Sequence, residues 1–143
     1  MGKTFTSENG WFTITLPSDW EEYDDEDTDS DTYAFFNMKS WTGNLRITPF
    51  KNFENPEKDM AADFMDSELE ENESAISMKL GELDAIHYKE EIEGDLIIYY
   101  WITGKNDTLF TCSFTTNKQI EGSKENGKEL ELVQKILSTI KIN

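Results

Sequence analysis

Apolar and polar residues alternate along several segments of the chain, with the two-residue period that is typical of half-buried β-strands. The first segment runs from Trp11 to Leu16, and Pro17 ends it because proline has no amide proton to donate to a neighbouring strand. Two further segments predict a hairpin: Tyr33 to Lys39 and Asn44 to Phe50. Four more follow one another closely and predict an antiparallel meander: Ser74 to Leu80, Leu83 to Ile92, Leu96 to Thr103 and Thr108 to Thr116.

Two other segments place apolar residues at the three- and four-residue spacings of an amphipathic α-helix. Asn55 and Pro56 predict the start of the first helix, because Asn caps a first turn and Pro suits its first position. This helix extends to about Asn72, with an apolar stripe of Met60, Ala61, Phe64, Met65 and Leu69. The second helix spans roughly Lys124 to Ile140, with apolar residues Leu130, Val133, Ile136, Leu137 and Ile140.

The order of these elements predicts a single α+β domain over residues 1–143, because strands joined by short turns pair antiparallel and leave the helices to cover the sheet. The strand from Leu96 to Ile102 is apolar on both sides, which is typical of a central strand covered on both faces. We therefore expect an antiparallel sheet of about six to seven strands between two helical layers. The acidic run from Glu21 to Thr32, which has only Tyr23 to bury, is predicted to be a loop.

The run Phe12-Thr13-Ile14-Thr15-Leu16-Pro17-Ser18-Asp19-Trp20 resembles the opening of the PsbP-like superfamily, in which an apolar strand leads into Pro-x-x-Trp. The long central helix, the late meander, the closing helix and the ending Ile136-Leu137-Ser138-Thr139-Ile140 are also similar to that family. The resemblance covers almost the whole chain and implies an α-β-α sandwich on an antiparallel sheet. The superfamily includes a photosystem accessory subunit, a Ran-binding import factor, secretion-associated chaperones and small bacterial proteins. The resemblance therefore implies a binding or adaptor function, and it carries over no partner-binding residues.

The charge of the chain is concentrated in two segments. Thirty acidic residues stand against 13 basic ones, which gives a net charge of −17. Residues 19–31 hold nine acids and no base, residues 54–73 hold nine acids and one lysine, and the rest of the chain is neutral overall. This charge excludes nucleic acid and anionic membrane surfaces as leading partners. It favours a protein with a basic face, because complementary charge raises association rates.

The acidic loop matches a calcium-binding loop only in part. Asp25, Asp27 and Asp29 fit positions 1, 3 and 5 of an EF-hand. Ser30 stands where the EF-hand needs glycine, and Phe36 stands where it needs a bidentate glutamate. An EF-hand is therefore excluded, and a weak divalent-cation site on the loop is an alternative. The single cysteine excludes an internal disulfide and a cysteine-only zinc site, so no cofactor is predicted.

The residues that could carry catalysis are few. His87 is the only histidine, and it falls on a predicted strand at a partly exposed position. Cys112 lies between two phenylalanines and is typical of a small buried hydrophobe. A Cys112–His87 dyad would need both side chains on the same face of neighbouring strands. The sequence contains no phosphate-binding loop, dinucleotide fingerprint, nucleophile elbow or His-Glu-x-x-His motif. We therefore predict a protein without catalytic activity.

These observations predict a small, acidic, cytoplasmic binding module, a monomer or weak dimer, that docks a partner protein with a basic face. An inhibitor or immunity-type protein that masks a basic toxin is a specific form of this prediction. The alternatives are a secretion-type chaperone with an apolar groove, and a binder of a small ligand or divalent cation. The predicted contact residues form an acidic loop, one face of the first helix and a tryptophan near a turn: Asp24, Asp25, Asp27, Asp29 and Asp31; Asp59, Asp63, Asp66 and Glu70; and Trp41.

Overall fold

The structure, a computed structural model, describes residues 2–8, 10–23, 32–39, 41–51, 59–92 and 94–143. Within these ranges the chain forms ten β-strands and two α-helices. The first half contains β1 (Gly2–Thr6), β2 (Phe12–Pro17), β3 (Trp20–Tyr23), β4 (Tyr33–Asn37), β5 (Gly43–Lys51) and α1 (Met60–Glu71). The second half contains β6 (Ile76–Leu80), β7 (Leu83–Ile92), β8 (Leu96–Lys105), β9 (Thr108–Asn117), α2 (Lys124–Leu137) and β10 (Lys141–Ile142).

Seven strands form one antiparallel sheet in the order β3-β4-β5-β9-β8-β7-β6. The sheet consists of two meanders, β3 to β5 and β6 to β9, which meet where β5 pairs with β9. The predicted hairpin and the predicted four-stranded meander are both present, and β7 has the predicted bounds. The predicted α+β fold on an antiparallel sheet is confirmed.

A second sheet has three strands, β1, β2 and β10, with β2 in the centre. The strand β2 ends at Pro17, as its sequence predicts. The closing helix was predicted to reach Ile140, but α2 ends at Leu137. The chain turns there because Thr139 accepts a hydrogen bond on its Oγ1 from the backbone N–H of Thr15 at 2.8 Å, which directs the following residues alongside β2.

The strand β3 occupies the first part of the segment that was predicted to be an acidic loop, and this part of the prediction is wrong. Trp20 begins the strand and is completely buried. On the opposite face, Tyr23 packs edge-on against Phe36, with ring centroids 5.4 Å apart. Burial of these aromatic rings outweighs the preference of the two intervening glutamates for a loop, and both glutamates stay exposed. Residues 24–31 lie outside the described residues.

The main core lies between the seven-stranded sheet, the three-stranded sheet and α2. Edge-to-face aromatic pairs join the two sheets: Phe5 to Phe35 at 5.0 Å between ring centroids, and Phe12 to Phe110 at 5.1 Å. This geometry brings the positive edge of one ring against the negative face of the other. The side chains that α2 buries here include three of the predicted stripe: Val133, Ile136 and Leu137.

The helix α1 packs against the opposite face of the large sheet, on β7, β8 and β9. Its buried side chains, Ala61 and Met65, lie on an apolar patch of three sheet residues: Ile86, Ile102 and Leu109. Phe64 belongs to the predicted stripe but is 39% exposed. A helix of 12 residues that rests on three strands buries only a narrow stripe, and Phe64 lies at its border.

The helix α1 begins later than the sequence predicts. Asp59 is its N-cap, and its side chain accepts a hydrogen bond from the backbone N–H of Ala62. The predicted start at Asn55 and Pro56 lies outside the described residues. The C-terminal end is confirmed, since Asn72 is the C-cap.

Candidate docking surface

One face of the seven-stranded sheet, which we call the open face, is turned away from α2 and is covered by α1 towards one end. Cross-strand pairing places one row of side chains across β7, β8, β9 and β5: Tyr88, Tyr100, Ser113 and Arg46. These four residues are half-buried, whereas Ile86 and Ile102 of the neighbouring row are fully buried against α1. The second helical layer that the sequence predicts therefore covers this face only in part.

Two tyrosines form the centre of the open face. The rings of Tyr88 and Tyr100 stack with their centroids 4.9 Å apart. Burial, and then the negative charges of Glu68 and Glu90, raise the pKa of Tyr88 to about 12. Burial and Glu90 raise the pKa of Tyr100 as well. Both phenols therefore stay neutral at physiological pH, and both rings lie in a negative potential.

The exposed side of α1 is acidic along its length, and Glu68 of the same helix lies near Tyr88 on the open face. Asp63, Asp66 and Glu70 are exposed, and the helix contains no lysine or arginine. Asp59 is exposed as well and has a structural role, because its Oδ1 accepts hydrogen bonds from the backbone N–H groups of Ala62 and Asn106, both at 3.1 Å. These acids lie at spacings of four, three and four residues, so the helix presents them on one side, as predicted.

Trp41 is held beside the open face. It is 58% exposed, and its indole Nε1 donates a hydrogen bond to Asn44 Oδ1 at 2.9 Å. Asn44, Thr115 and Ile98 are cross-strand neighbours and form the next row of the open face. This row and α1 lie on opposite sides of the tyrosine row. The predicted exposure of Trp41 is confirmed, and its hydrogen bond to Asn44 places it on the far side of the tyrosine row from α1.

The backbone next to Trp41 is fixed by a buried polar network. The N–H and hydroxyl groups of Thr42 donate to Glu129 Oε1 at 2.8 and 3.1 Å. The carbonyl oxygen of Thr42 accepts from the hydroxyl of Thr116 at 2.5 Å, and its Oγ1 accepts from Asn126 Nδ2 at 3.3 Å. All three polar atoms of Thr42 are therefore bound to side chains from α2 and β9.

Sequence reasoning missed this network, although the helical pattern contains a signal for it. Glu129 lies four residues before Val133 and eight before Leu137, so it falls on the buried stripe of α2. A carboxylate at such a position is rarely buried without a specific partner. Burial raises the pKa of Glu129 to about 7, and the two hydrogen bonds from Thr42 offset part of that rise.

The structure does not bring His87 and Cys112 into contact. Both side chains lie on the α2 side of the sheet, but Trp101 of β8 stands between them in the same cross-strand row. Neighbouring strands are about 4.8 Å apart, so the two groups are separated by roughly 10 Å. Cys112 is completely buried, and burial raises the pKa of its thiol. A Cys112–His87 dyad is therefore excluded by geometry, and the half-buried His87 stacks on Trp101 at 4.7 Å between ring centroids.

The predicted loop contacts Asp24, Asp25, Asp27, Asp29 and Asp31 lie outside the described residues. Across the part of the chain that is described, no three His, Cys, Asp or Glu side chains gather as a metal site would require. Among the same residues, neither helix has the length and apolar content that a transmembrane helix needs.

The fold is that of a small PsbP-like α+β domain. A solution structure of cyanobacterial PsbP (CyanoP) from Synechocystis has the same fold, with a TM-score of 0.61 and 10% sequence identity. That match covers 99% of this chain and 92% of the cyanobacterial chain. The resemblance predicted from the sequence is confirmed at the level of the fold.

The chain belongs to the family described as a domain of unknown function (DUF3805), whose model matches residues 1–143. A crystal structure from Bacteroides thetaiotaomicron is 32% identical, with a TM-score of 0.79. The match covers 99% of this chain and 48% of the Bacteroides chain, so this chain spans about half the length of that relative. A comparison with curated proteins finds no match.

Proposed function

We propose that this domain is a non-catalytic adaptor that binds a basic segment of a partner protein on its open face. The observation that carries the proposal is the stacked pair of Tyr88 and Tyr100 on a face that α1 covers only in part, with Glu68 of this acidic helix acting on Tyr88. A basic segment complements this surface both in charge and in its aliphatic side-chain stems.

The charges and the aromatic rings have different roles in this proposal. Long-range attraction to α1 accelerates the encounter with a basic partner. Affinity comes mainly from the rings, because buried aromatic contacts dominate binding energy at interfaces. A lysine or arginine over Tyr88 or Tyr100 gains a cation–π interaction of about 0.5–2 kcal/mol. The negative charges of Glu68 and Glu90 beside these rings favour the same cation.

The acidic segment from Asp24 to Asp31 and the exposed Trp41 are part of the proposal. The segment supplies further negative charge that attracts the partner, and Trp41 supplies an aromatic anchor. An inhibitor or immunity-type protein that masks a basic toxin is one form that such an adaptor takes.

The test measures the association of immobilised domain with lysine- and arginine-rich peptides as a function of salt concentration. The test variant carries Asp66→Asn and Glu70→Gln on α1. The matched control carries Glu82→Gln and Glu131→Gln, which removes the same charge at exposed positions outside α1. We expect the α1 variant to associate about three- to tenfold more slowly and to lose salt dependence, whereas the control changes little. Equal slowing in both variants would contradict the proposal.

The contribution of the aromatic residues is tested separately with Trp41→Ala. Because Trp41 is more than half exposed, its replacement should leave stability within about 0.5 kcal/mol of the parent. It should raise the dissociation rate of the same peptides by about tenfold, since exposed aromatic anchors act mainly on dissociation. The control is Met38→Ala, which removes an apolar side chain of similar exposure (54%). An unchanged dissociation rate in the Trp41→Ala variant would show that Trp41 is not part of the docking surface.

A secretion-type chaperone is the second candidate, and exposed aromatic residues favour it. Phe50 is 56% exposed, and its neighbour across the strand pair is Leu109, which packs beneath α1. A chaperone of this kind would bind apolar peptides without basic residues and would bind an environment-sensitive dye in its native state. Binding that depends on lysine or arginine in the peptide would exclude this candidate.

A further inference from the structure

A separate cavity lies on the α2 side of the molecule, where the first half of α2 faces the segment that precedes β3 and the segment that follows β4. Its volume is about 370 Å³. Two lysines, three acids and one leucine account for most of its lining: Lys39, Lys128, Asp19, Glu125, Glu129 and Leu132. The lining therefore carries charges of both signs around one small cavity.

Two buried polar residues line this cavity, Asn37 and Glu129, and Glu129 is the ionisable one. It is 2% exposed, and no described residue forms an ion pair with it. Its Oε1 accepts both short hydrogen bonds from Thr42, whereas the described residues offer Oε2 only one contact, of 3.4 Å, from the N–H of Thr42. A buried carboxylate normally requires a cation or further donors to offset its lost hydration. The structure therefore leaves one oxygen of this carboxylate with capacity for a donor.

We propose that this cavity binds a small zwitterion, a compound that carries one ammonium and one carboxylate group as a free amino acid does. The ligand ammonium donates to Glu129 Oε2, and the ligand carboxylate accepts from the ammonium groups of Lys39 and Lys128. Leu132 contacts the apolar part of the ligand. This inference does not depend on the proposed docking function, because it concerns the opposite side of the sheet.

The arrangement of charges selects a zwitterion over a simple ion. An anion without an ammonium group would pair with Lys39 and Lys128 but would offer no donor to Glu129 Oε2. A cation without a carboxylate would satisfy Glu129 and leave both lysines without a ligand contact. The cavity volume lies at the lower end of the range for small-molecule sites, so the ligand has the size of one or two amino acids.

In the first test, the 143-residue chain is titrated with small probe compounds. Two-dimensional NMR spectra of the backbone amide groups report binding. The probes are glycine, L-alanine, L-leucine and L-glutamate, each added up to about 20 mM, a range that detects dissociation constants in the millimolar range. We expect at least one probe to shift the amide signals of Lys39, Lys128 and Leu132 in a saturable way. Three related compounds should bind more weakly: N-acetylglycine lacks the ammonium, glycinamide lacks the carboxylate, and glycine betaine lacks the N–H donors.

The second test uses variants. Glu129→Gln keeps the shape of the side chain and removes its charge, and it should weaken binding by about tenfold or more. The matched control is Glu131→Gln, which removes a charge from an exposed position on the same helix and should leave affinity unchanged. The double variant Lys39→Met with Lys128→Met alters exposed lysines only and tests the site even if Glu129→Gln disturbs folding.

Three results would overturn the inference. They are the absence of saturable shifts with all four amino acids, equal affinity for N-acetylglycine and glycine, and full affinity in both the Glu129→Gln variant and the double lysine variant. The double lysine variant separates this inference from the docking proposal: it should lose amino-acid binding and still bind the lysine- and arginine-rich peptides as the parent does, because the tyrosine pair and α1 take no part in this site.

Discussion

Thr42 and Glu129 connect the two sites of this domain. Thr42 follows the exposed Trp41 directly, and each of its polar atoms is bound by a buried side chain. The carboxylate of Glu129 accepts two of these hydrogen bonds and lines the mixed-charge cavity on the other side. One buried residue of α2 therefore fixes the backbone next to Trp41 and also lines the mixed-charge cavity.

The raised pKa of Glu129 predicts a defined dependence of stability on pH. The folded protein keeps the proton of this carboxyl up to about pH 7, whereas the unfolded chain releases it near the ordinary pKa of 4.5. Between these values the folded state binds more protons than the unfolded state, so the contribution of Glu129 to the free energy of unfolding falls as pH rises. The contribution is fully present below pH 4.5, is lost as pH rises through about 7, and changes no further above that pH.

The check is urea denaturation of the parent and of Glu129→Gln at several pH values between 5 and 8. Gln cannot ionise, so the stability of the parent relative to the variant should fall across this interval by on the order of 2 kcal/mol. The difference between the two proteins isolates this group from the other carboxyls. A constant difference across the interval would show that Glu129 is already ionised in the folded protein at pH 5.

At the scale of single residues, the sequence predicts which side chains are exposed or buried better than it predicts their hydrogen-bond partners. The exposed Trp41, the buried Cys112 and the half-buried His87 all follow from neighbouring residues along the chain. The partners of Glu129 do not, because Thr42 lies 87 positions away and only the fold brings it there. The signal that the sequence offers is negative: a carboxylate occupies a position of α2 where an apolar residue is expected.

At the scale of elements, one glycine in a strand and one glycine in a helix test the local backbone geometry. Gly104 in β8 has a positive φ of 151°, and a Cβ atom there would collide with the carbonyl oxygen of Thr108. Gly127 in α2 has free space around its Cβ position. Gly104→Ala should therefore cost about 2 kcal/mol or more. Gly127→Ala should stabilise the domain by about 0.5–1 kcal/mol, because alanine loses less backbone entropy in a helix.

Thermal denaturation of both variants provides the measurement. Each replaces one glycine by one alanine, so each serves as the control for the other. A melting temperature that falls for Gly104→Ala and rises for Gly127→Ala is the expected pattern. A rise in both would mean that the backbone at Gly104 relaxes away from Thr108.

The errors in the predicted elements have a common physical cause. The strand β3 overlaps the segment from Glu21 to Thr32, which is predicted to be a loop because it is acidic and has only Tyr23 to bury. Burial of Trp20 and the contact of Tyr23 with Phe36 nevertheless decide the conformation of β3. The strands β1 and β10 are short or exposed, and pairing with β2 stabilises them. In each of these elements a distant partner determines the conformation, whereas α2 and β7, whose patterns are strong, have nearly the predicted bounds.

At the scale of the whole molecule, the net charge of −17 predicts that added salt stabilises the domain. Like charges repel one another more strongly in the compact state, and salt screens this repulsion beyond a Debye length of about 10 Å at 0.1 M. The melting temperature should therefore rise by a few degrees between about 10 mM and 300 mM sodium chloride. The variant with Glu82→Gln and Glu131→Gln should show a smaller rise. A melting temperature that falls with salt would mean that ion pairs, such as Lys89 with Glu121, outweigh the repulsion.

The fold as a whole could be predicted from the sequence because its sheet is built from local hairpins. Consecutive strands with short turns specify their own pairing, and the opening apolar strand with Pro17 and Trp20 adds the resemblance to the PsbP-like superfamily. The open face could not be predicted, since it depends on the length and position of α1. A strand that is apolar on both sides indicates cover on both faces, but it does not indicate how far that cover extends.

The junction of β5 with β9 has a consequence for how the sheet assembles. Each meander closes through contacts between neighbours in sequence, whereas this junction joins Lys51 to Thr108 and Gly43 to Thr116. Closing such a long loop costs entropy before any contact compensates for it, which makes long-range pairing slow. During folding, the amides that pair strands within each meander should therefore become protected from hydrogen exchange before the amides that pair β5 with β9. In the folded protein, the sheet should open first between β5 and β9. A bound peptide segment that lies over both Arg46 of β5 and Tyr100 of β8 would span the junction of β5 with β9. Such a ligand should slow the opening of the sheet there.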